Sequence, residues 1–257
     1  MGILEGKNIL VTGVTLNTSI AYAVAEIAQR EGANVVVSAA GRAVSLARRV
    51  VARMEQQPPL VEIDVTDPHH LAGLPDLLSQ HLSGGLDGIV HSIAYADPEK
   101  ALGGAFLTTD WESVSKALEI SAYSLQSLTM AAKPMMNRGS SVVGLTFDAT
   151  VSWPTYDWMG VAKAALESTS RYLARYLGPD GIRSNLVAAG PLDTVAKKAI
   201  PGASSFNDIW SQRSPLTWDA TDAVPAAKAV VALLSDWFPA TTGEIIHVDG
   251  GLHSTGA

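Results

Sequence analysis

The sequence contains no cysteine. This absence excludes disulfide bonds, thiol nucleophiles and thiolate ligands to metals, and it agrees with a reducing compartment. Long hydrophobic runs are also lacking, since no apolar stretch approaches the ~20 residues that a membrane-spanning helix needs. Residues 1–7 do not have the layout of a signal peptide. We therefore expect a soluble, cytoplasmic protein.

Charged residues are scarce in this chain. They make up 17% of the residues, against about a quarter in an average protein. The formal net charge of −7 argues against general nucleic-acid binding, which requires a basic face. Hydrophobic residues amount to 47% and the mean hydropathy is +0.18. We therefore expect apolar surface to be buried between the subunits of an oligomer.

Short β-rich runs alternate with helical patterns throughout the chain. The predicted strands are residues 8–12, 34–38, 60–63, 88–93, 141–145, 182–187 and 244–248. Strands separated by helices in this way form βαβ units and a parallel sheet. The sequence thus predicts an α/β fold in which residues 1–257 form one Rossmann-type domain. Its doubly wound sheet has about seven strands, helices on both faces, and ligands beyond the carboxyl ends of the strands.

Tyr156 and Lys163 lie seven residues apart. Seven steps along a helix rotate about 700°, so both side chains lie on one face, with their Cα atoms roughly 10 Å apart. A phenol that donates to a developing oxyanion and an ammonium that holds a cofactor hydroxyl would then point into one cleft. The alternative is a buried Tyr and a solvated Lys that share a face by chance.

The loop after the first predicted strand begins at Gly13 and leads into a helical pattern at Ser19-Ile20. Dinucleotide-binding loops use several glycines so that the backbone can approach the pyrophosphate, and this loop has one. The hydroxyl and amide of Ser19 could face a phosphate in their place, or Ser19 could act as a helix cap alone. Its position after the first strand favours a cofactor role.

Three further strand ends carry residues that suit a dinucleotide. Asp64-Val65 could bind the adenine, although Asp64 could instead begin a helix. Ser92-Ile93-Ala94 are small or apolar and would let a ribose approach, and residues 190–194 form a rigid turn that ends in the hydroxyl of Thr194. Because the carboxyl ends of parallel strands meet at one edge of the sheet, the sequence predicts a dinucleotide site there.

These motifs together resemble the short-chain dehydrogenase/reductase superfamily and, within it, the enoyl-acyl-carrier-protein reductases of bacterial type II fatty acid synthesis. The ketoreductase branch spaces its Tyr and Lys by four residues, whereas the residue four after Tyr156 is Gly160. The residues that carry the resemblance are Gly13 with Ser19-Ile20-Ala21, Asp64-Val65, His91-Ser92-Ile93, Ser121-Ala122-Tyr123-Ser124, Tyr156 with Lys163, Arg183-Ser184-Asn185, Gly190-Pro191 with Thr194, and Val248-Asp249-Gly250-Gly251.

The resemblance implies reduction of the trans-2 double bond of enoyl thioesters on acyl carrier protein by NADH, in a homotetramer. Hydride goes to C3 while negative charge develops on the thioester oxygen, so the donor lies further from the nicotinamide. One extra helical turn provides roughly 5 Å. Tyr156 would stabilise the enolate and Lys163 would hold the nicotinamide ribose. The alternatives are reduction of another conjugated enoyl substrate in secondary metabolism, or a non-catalytic nucleotide sensor.

The resemblance also assigns the remaining site residues. The predicted cofactor-binding residues are Gly13, Ser19, Ile20, Ala40, Asp64, Val65, Ser92, Ile93, Ala94, Lys163, Leu192 and Thr194. The predicted substrate-binding residues are Ala96, Phe147, Tyr156, Ala196 and Ile200. We group Phe147 with the catalytic pair as a wall for the acyl thioester, with a core Phe as the alternative. Many relatives have a second Tyr here, and this chain has Thr146-Phe147. No metal site is predicted.

Two further predictions concern selectivity and docking. The turn after the second strand, Ala39-Ala40-Gly41-Arg42, has no carboxylate and one Arg. A single Arg here is also common in NADH-using relatives, so the resemblance implies NADH as the cofactor. A helical segment at about 194–218 is expected to bind substrate and to have a flexible middle at residues 202–205. Within it, Lys197 and Lys198 are expected to face outward, either to dock an acidic carrier protein or simply as solvated lysines. Asp193 stands where relatives usually have Arg.

Overall fold

The computed structural model describes residues 1–256, together with all their side chains except that of Ala196. Seven parallel strands form one sheet in the order β3-β2-β1-β4-β5-β6-β7. The strands are β1 (Asn8–Val11), β2 (Asn34–Ala39), β3 (Leu60–Glu62), β4 (Leu86–His91), β5 (Met136–Thr146), β6 (Arg183–Ala189) and β7 (Ile245–Val248). The doubly wound α/β sheet is confirmed, and its order reverses between β1 and β4.

Helices connect the strands. They are α1 (Ile20–Arg30), α2 (Ala43–Val51), α3 (Pro68–Ala72), α4 (Leu74–Ser79), α5 (Trp111–Leu118), α6 (Ser124–Ala132), α7 (Asp157–Leu177), α8 (Val195–Lys198), α9 (Ser204–Arg213) and α10 (Val224–Leu234). A π-helical turn, Glu119–Tyr123, joins α5 to α6. Within residues 1–256, no helix is both long and apolar enough to cross a membrane.

The hydrophobic core lies on both faces of the sheet. In β1, Ile9 and Val11 pack with α1, α2 and α10 on one face, whereas Leu10 packs with α4, α6 and α7 on the other. All four residues of β1 are buried, because a parallel strand covered on both faces has no solvent side. Helices on both faces were predicted, and this packing confirms them.

Some predicted boundaries were wrong by several residues. The fifth strand begins at Met136 rather than residue 141, because Met136 pairs with Leu86 across an irregularity in the register. The sequence pattern of residues 44–54 predicts a helix, but α2 ends at Val51, since Arg53 N–H donates to Val50 O and Met54 N–H to Val51 O in tighter i→i+3 turns. Asp67 followed by Pro68 is a sequence signal for the start of a helix. Asp67 does cap α3, and its Oδ1 accepts from the His69 amide at 2.8 Å.

Candidate active site

The ends of β1 and β4 meet where the strand order reverses. Gly13 has φ +77°, and a Cβ added there would lie 1.9 Å from Ser92 O. The Thr12 hydroxyl donates to Val90 O at 2.8 Å and accepts from the Ser92 amide at 3.3 Å. The two strand ends are therefore held together by the close approach of Gly13 to Ser92 and by the two hydrogen bonds of the Thr12 hydroxyl. Only glycine fits at position 13, because Ser92 O occupies the place that a side chain would take and the backbone has a positive φ.

Ser19 caps α1, and its polar groups are already engaged. Its hydroxyl accepts from the Tyr22 amide at 3.2 Å and donates to Leu16 O at 2.7 Å. Its amide donates to the same Leu16 oxygen at 3.0 Å. The cap is thus observed, and a phosphate would meet Ser19 only after this turn opens. Ile20 begins α1, whose first-turn amides give the helix end its partial positive charge.

The residues after β3 present a fixed carboxylate. Asp64 Oδ1 accepts from the amide and hydroxyl of Thr66 at 2.9 and 2.7 Å, and these hydrogen bonds lower the pKa of Asp64. The helix in this region is capped by Asp67, so the alternative that Asp64 begins a helix is wrong. Val65 beside it is buried. An ionised acceptor next to an apolar side chain is what binding of an adenine requires.

Tyr156 does not lie within the helix, as the spacing argument assumed, but immediately before α7. Its neighbours Thr155 and Asp157 have φ of 62° and 42°, a region that costs a non-glycine residue about 1–3 kcal/mol. Contacts with the loop between β4 and α5 compensate for this strain. The Gly103 amide donates to Thr155 O at 2.9 Å, and Asp157 Oδ2 accepts from the Gly104 amide at 2.6 Å. That loop therefore helps to orient Tyr156.

Lys163 is buried, and its Nζ donates to Leu145 O near the end of β5 at 2.9 Å. Burial lowers the pKa of Lys163 to about 8, and the nearby carboxylate of Glu167 opposes this shift. His91 is fully buried, and burial together with the charge of Lys163 lowers its pKa to about 3, so the ring is neutral. Its Nε2 lies 2.7 Å from Ser124 Oγ. Lys163 is thus the cation at this strand end.

An aromatic cluster surrounds the Tyr156 ring. The Phe147 ring centroid lies 5.2 Å from those of Tyr156 and Trp153, and 5.6 Å from those of Phe206 and Trp210. We call these five residues the aromatic cluster. Tyr156 is 8% exposed, and burial raises the pKa of its phenol, which therefore keeps its proton at neutral pH.

The side chains of Thr146 and Phe147 have different partners. The Thr146 hydroxyl donates to Glu167 Oε1 at 3.2 Å, whereas Phe147 packs directly against the Tyr156 ring. Glu167 Oε1 also accepts from the Ala149 amide at 3.3 Å, and burial raises the pKa of this carboxyl. Glu167 therefore anchors both sides of the turn that carries Phe147.

The predicted substrate residues fall into one group. Ala96 and Tyr156 belong to the same buried cluster, and Phe147 and Ile200 pack against it. The side chain of Ala196 lies outside the part of the chain that the structure describes. Among the other predicted cofactor residues, Ile93 packs on the core, Ala94 is exposed, Leu192 is buried and Thr194 caps α8.

The prediction that Lys197 faces outward was wrong. Its Nζ donates to Asp193 Oδ1 at 2.7 Å and to Asn207 Oδ1, and its side chain is 11% exposed. The reason is that Asp193 lies four residues earlier, at pairing distance around the start of α8, while α9 brings Asn207 alongside. The hydrogen bond from Lys197 lowers the pKa of Asp193. Lys198 is exposed, as predicted.

Phe206 lies in the segment that the sequence predicts to bind substrate, but sequence reasoning missed Trp153, Trp210 and Glu167. Trp210 follows Phe206 by four residues and Trp153 precedes Tyr156 by three. The first spacing puts two aromatic rings on one helix face, and this was the signal available. Glu167 follows Lys163 by four residues on α7, and the same spacing rule indicates that the carboxylate lies beside the ammonium.

A family model described as "Enoyl-(Acyl carrier protein) reductase" matches residues 13–253. The chain belongs to this family. An enoyl-[acyl-carrier-protein] reductase [NADH] of Mycolicibacterium smegmatis is 45% identical, with 97% of each chain covered. Another from Aquifex aeolicus is 39% identical over 100% of this chain and 94% of its own. An enoyl-[acyl-carrier-protein] reductase [NADPH] of Staphylococcus aureus is 35% identical, with 98% of each chain covered.

Within the enoyl-(acyl carrier protein) reductase family, the matched region contains both halves of the candidate site. It extends from Gly13 at the end of β1 to His253, beyond β7, and so includes the pair Tyr156 and Lys163. The resemblance inferred from the motifs is therefore confirmed at the level of the family.

Proposed function

We propose that this chain reduces the trans-2 double bond of enoyl thioesters carried on acyl carrier protein, with NADH as the hydride source. This is the last step of the fatty acid elongation cycle. The observation that carries the proposal is the buried Tyr156 phenol, seven residues before a buried Lys163, in a chain of the enoyl-reductase family. A sensor that only binds nucleotide has no use for such a donor beside an apolar cluster.

The carboxyl edge of the sheet fits a dinucleotide. A side chain at Gly13 would collide with Ser92 O, so the backbone there is bare. Asp64 offers an ionised acceptor for the adenine, and Lys163 retains N–H donors for ribose hydroxyls beyond the one given to Leu145 O. The other residues assigned to the cofactor are Ser19, Ile20, Ala40, Val65, Ser92, Ile93, Ala94, Leu192 and Thr194. When bound, the dihydronicotinamide supplies the hydride.

Tyr156 would act as the oxyanion donor. As C3 of the substrate gains hydride, negative charge accumulates on the thioester oxygen, and a neutral phenol can donate a hydrogen bond to it. The raised pKa keeps the Tyr156 proton in place at neutral pH. A donor of this kind contributes about 3–4 kcal/mol of transition-state stabilisation. The aromatic cluster excludes water around the developing charge, which strengthens that hydrogen bond.

The acyl chain would lie against Ala96 in the loop after β4, Phe147 after β5, and Ala196 and Ile200 in and after α8. The ring centroid of Phe206 on α9 lies 6.4 Å from that of Tyr156. Since the phenol is buried beneath α9 and the Phe147 turn, we infer that the segment from 194 to 218 shifts to admit substrate. Lids of this type close again to exclude water during reaction.

We further propose that the enzyme is a homotetramer. Exposed aromatic residues form two separate patches. Tyr172 and Tyr176 stack on α7, 61% and 70% exposed, beside Tyr123 and Met130, along a groove of about 600 Å³. Trp237, 70% exposed, and Phe238 precede the edge strand β7. Two self-complementary patches are what a tetramer with two-fold symmetry needs. Sedimentation of wild type and Tyr176→Glu tests this, and an unchanged mass would contradict it.

A cytoplasmic location and acyl carrier protein as partner complete the proposal. The family description names the carrier protein, which supports it as the partner. The absence of cysteine supports the location, because it suits a reducing compartment. The exposed Lys198 remains a candidate contact for an acidic partner.

The test is an oxidation assay with the purified protein. NADH consumption is followed with a trans-2-enoyl carrier-protein thioester, its coenzyme A analogue, and a ketone substrate as a control. We expect turnover of both enoyl thioesters and none of the ketone. Absence of enoyl turnover with intact NADH binding would instead indicate a nucleotide sensor. Turnover confined to an enoyl compound other than the thioesters would indicate the alternative substrate class.

A further inference from the structure

A carboxylate lies beside the turn that follows β2, although the turn itself contains none. Glu62 is the last residue of β3, and the sheet register pairs it with Ala39, the last residue of β2. Its Oε1 accepts a hydrogen bond from the Gly41 amide at 3.0 Å. Both residues are exposed, so this carboxylate is open to a ligand at the carboxyl edge of the sheet.

This turn is where a doubly wound sheet meets the adenosine ribose. In such sheets a carboxylate at the end of β2 accepts the 2′-hydroxyl of NAD, whereas a nearby Arg accommodates the 2′-phosphate of NADP. The turn Ala39-Ala40-Gly41-Arg42 has the Arg and lacks the carboxylate. Cross-strand pairing brings Glu62 to the place where that carboxylate is missing.

We propose that Glu62 selects NADH against NADPH. It engages the Gly41 amide, a donor that a 2′-phosphate would otherwise use, and its charge repels the phosphate dianion. The uncharged 2′-hydroxyl of NADH meets neither penalty and can donate to the second carboxylate oxygen. Arg42 forms no ion pair with any residue of the described range 1–256, and its charge opposes this selection only in part.

The comparison with relatives agrees with a local determinant. The proteins from Mycolicibacterium smegmatis and Staphylococcus aureus bear NADH and NADPH in their names, and this chain covers 97% and 98% of them. A fold shared over its whole length therefore accommodates either nucleotide, and a few side chains near the 2′ position decide between them. This inference rests on the proposed placement of the adenosine beside Ala40 and Asp64.

The experiment compares wild type with Glu62→Gln, which keeps an oxygen for the Gly41 amide and removes only the charge. The matched control is Asp76→Asn, which removes one charge at an exposed position on α4. For each protein, kcat/KM with one enoyl thioester and affinity by fluorescence titration are measured with NADH and with NADPH. We expect Glu62→Gln to raise both the affinity and kcat/KM for NADPH about tenfold and to leave those for NADH nearly unchanged. Asp76→Asn should keep the wild-type ratio of the NADH to the NADPH values.

Two results would overturn the inference. One is an unchanged NADH-to-NADPH ratio in Glu62→Gln, and the other is an equal shift in Asp76→Asn, which would reflect net charge alone. Added salt should weaken the preference of wild type for NADH over NADPH, and it should change the preference of Glu62→Gln less. If wild type turned over no enoyl thioester, the proposed function would fail, but the titrations would still measure selectivity. The two failures are therefore distinguishable.

Discussion

The two sides of the candidate site are held by different kinds of contact. On the cofactor side, the contacts hold the backbone of two strand ends: Gly13 abuts Ser92 O, and the Thr12 hydroxyl bridges Val90 O and the Ser92 amide. On the substrate side, side chains cover Tyr156. Phe206 reaches it from α9, and Lys197 ties the start of that covering segment to Asn207 by one polar network.

This difference matches what each side must do. Hydride transfer requires a fixed nicotinamide, and buried parallel strands hold their ends rigidly because every ladder hydrogen bond would have to break for them to move. The acyl chain must enter and leave, and packed side chains can rearrange without unfolding the sheet. Breaking a contact between the strand ends should therefore lower the stability of the whole fold. Breaking a contact among the side chains that cover Tyr156 should change substrate binding alone.

Gly13→Ala tests the backbone side and should have the largest effect. The new Cβ would lie 1.9 Å from Ser92 O, at φ +77°, and parting β1 from β4 should cost about 3–5 kcal/mol of folding free energy. Gly6→Ala is the matched control, since Gly6 has φ +72° and nothing within 4 Å of an added Cβ. It should cost only the ~1–2 kcal/mol of the backbone conformation. Urea unfolding measures the stability of both variants. Equal losses of folding free energy would contradict a role for the contact between Gly13 and Ser92 O.

Tyr156→Phe should lower kcat about 100- to 1,000-fold, because the lost donor acts only as charge develops on the substrate. NADH affinity should stay nearly unchanged. Lys163→Ala should weaken NADH binding as well, since the ammonium is assigned to the ribose. Titration of the nucleotide and single-turnover rates separate the two variants. Wild-type NADH affinity in Lys163→Ala would exclude the ribose role.

Lys197→Met tests the substrate side, where the segment from 194 to 218 covers Tyr156. It keeps the side-chain length and removes the cation that joins Asp193 to Asn207. Because the whole segment loosens, KM should rise about three- to tenfold for carrier-protein and coenzyme A thioesters alike. Lys198→Glu, on the exposed neighbour, should raise KM for the carrier-protein substrate alone, and salt should reduce that effect. An effect of Lys197→Met on the carrier-protein substrate alone would contradict the internal role.

The sequence predicted the parallel sheet and a dinucleotide site at its carboxyl edge because both follow from local patterns and general rules of topology. Apolar β-rich runs separated by helical patterns identify the strands as parallel, and the carboxyl ends of parallel strands lie at one edge. The pair Tyr156 and Lys163 was recognised for the same reason, since its spacing is a local property of the chain.

The remaining features depend on contacts between distant segments. Tyr156 lies before α7 because Asp157 accepts the amide of Gly104, 53 residues earlier. Lys197 turns inward because Asn207 arrives on another helix. Glu62 reaches the turn after β2 only through the register of β3. Spacing along one element predicts none of these, because each is set by tertiary packing.

The last expected effect concerns the pH dependence of stability. Burial lowers the pKa of Lys163 from 10.5 to about 8 in the folded protein. Between these values the unfolded chain keeps a proton that the folded chain has released, so the free energy of unfolding should rise with pH. The slope from this one group is at most ~1.4 kcal/mol per pH unit. Burial raises the pKa of Tyr156, so above its ordinary pKa of 10.0 this group makes the free energy of unfolding fall with pH.

The useful window is therefore about pH 8 to 10, where Lys163 changes charge and Tyr156 does not. Urea unfolding without nucleotide should show a stability that rises with pH in wild type, relative to Lys163→Met. The control is Lys198→Met, in which an exposed lysine is lost and the wild-type slope should persist. Equal slopes in wild type and Lys163→Met would mean that Lys163 titrates alike in the folded and unfolded chain. Burial of the Lys163 side chain would then not be what sets its charge.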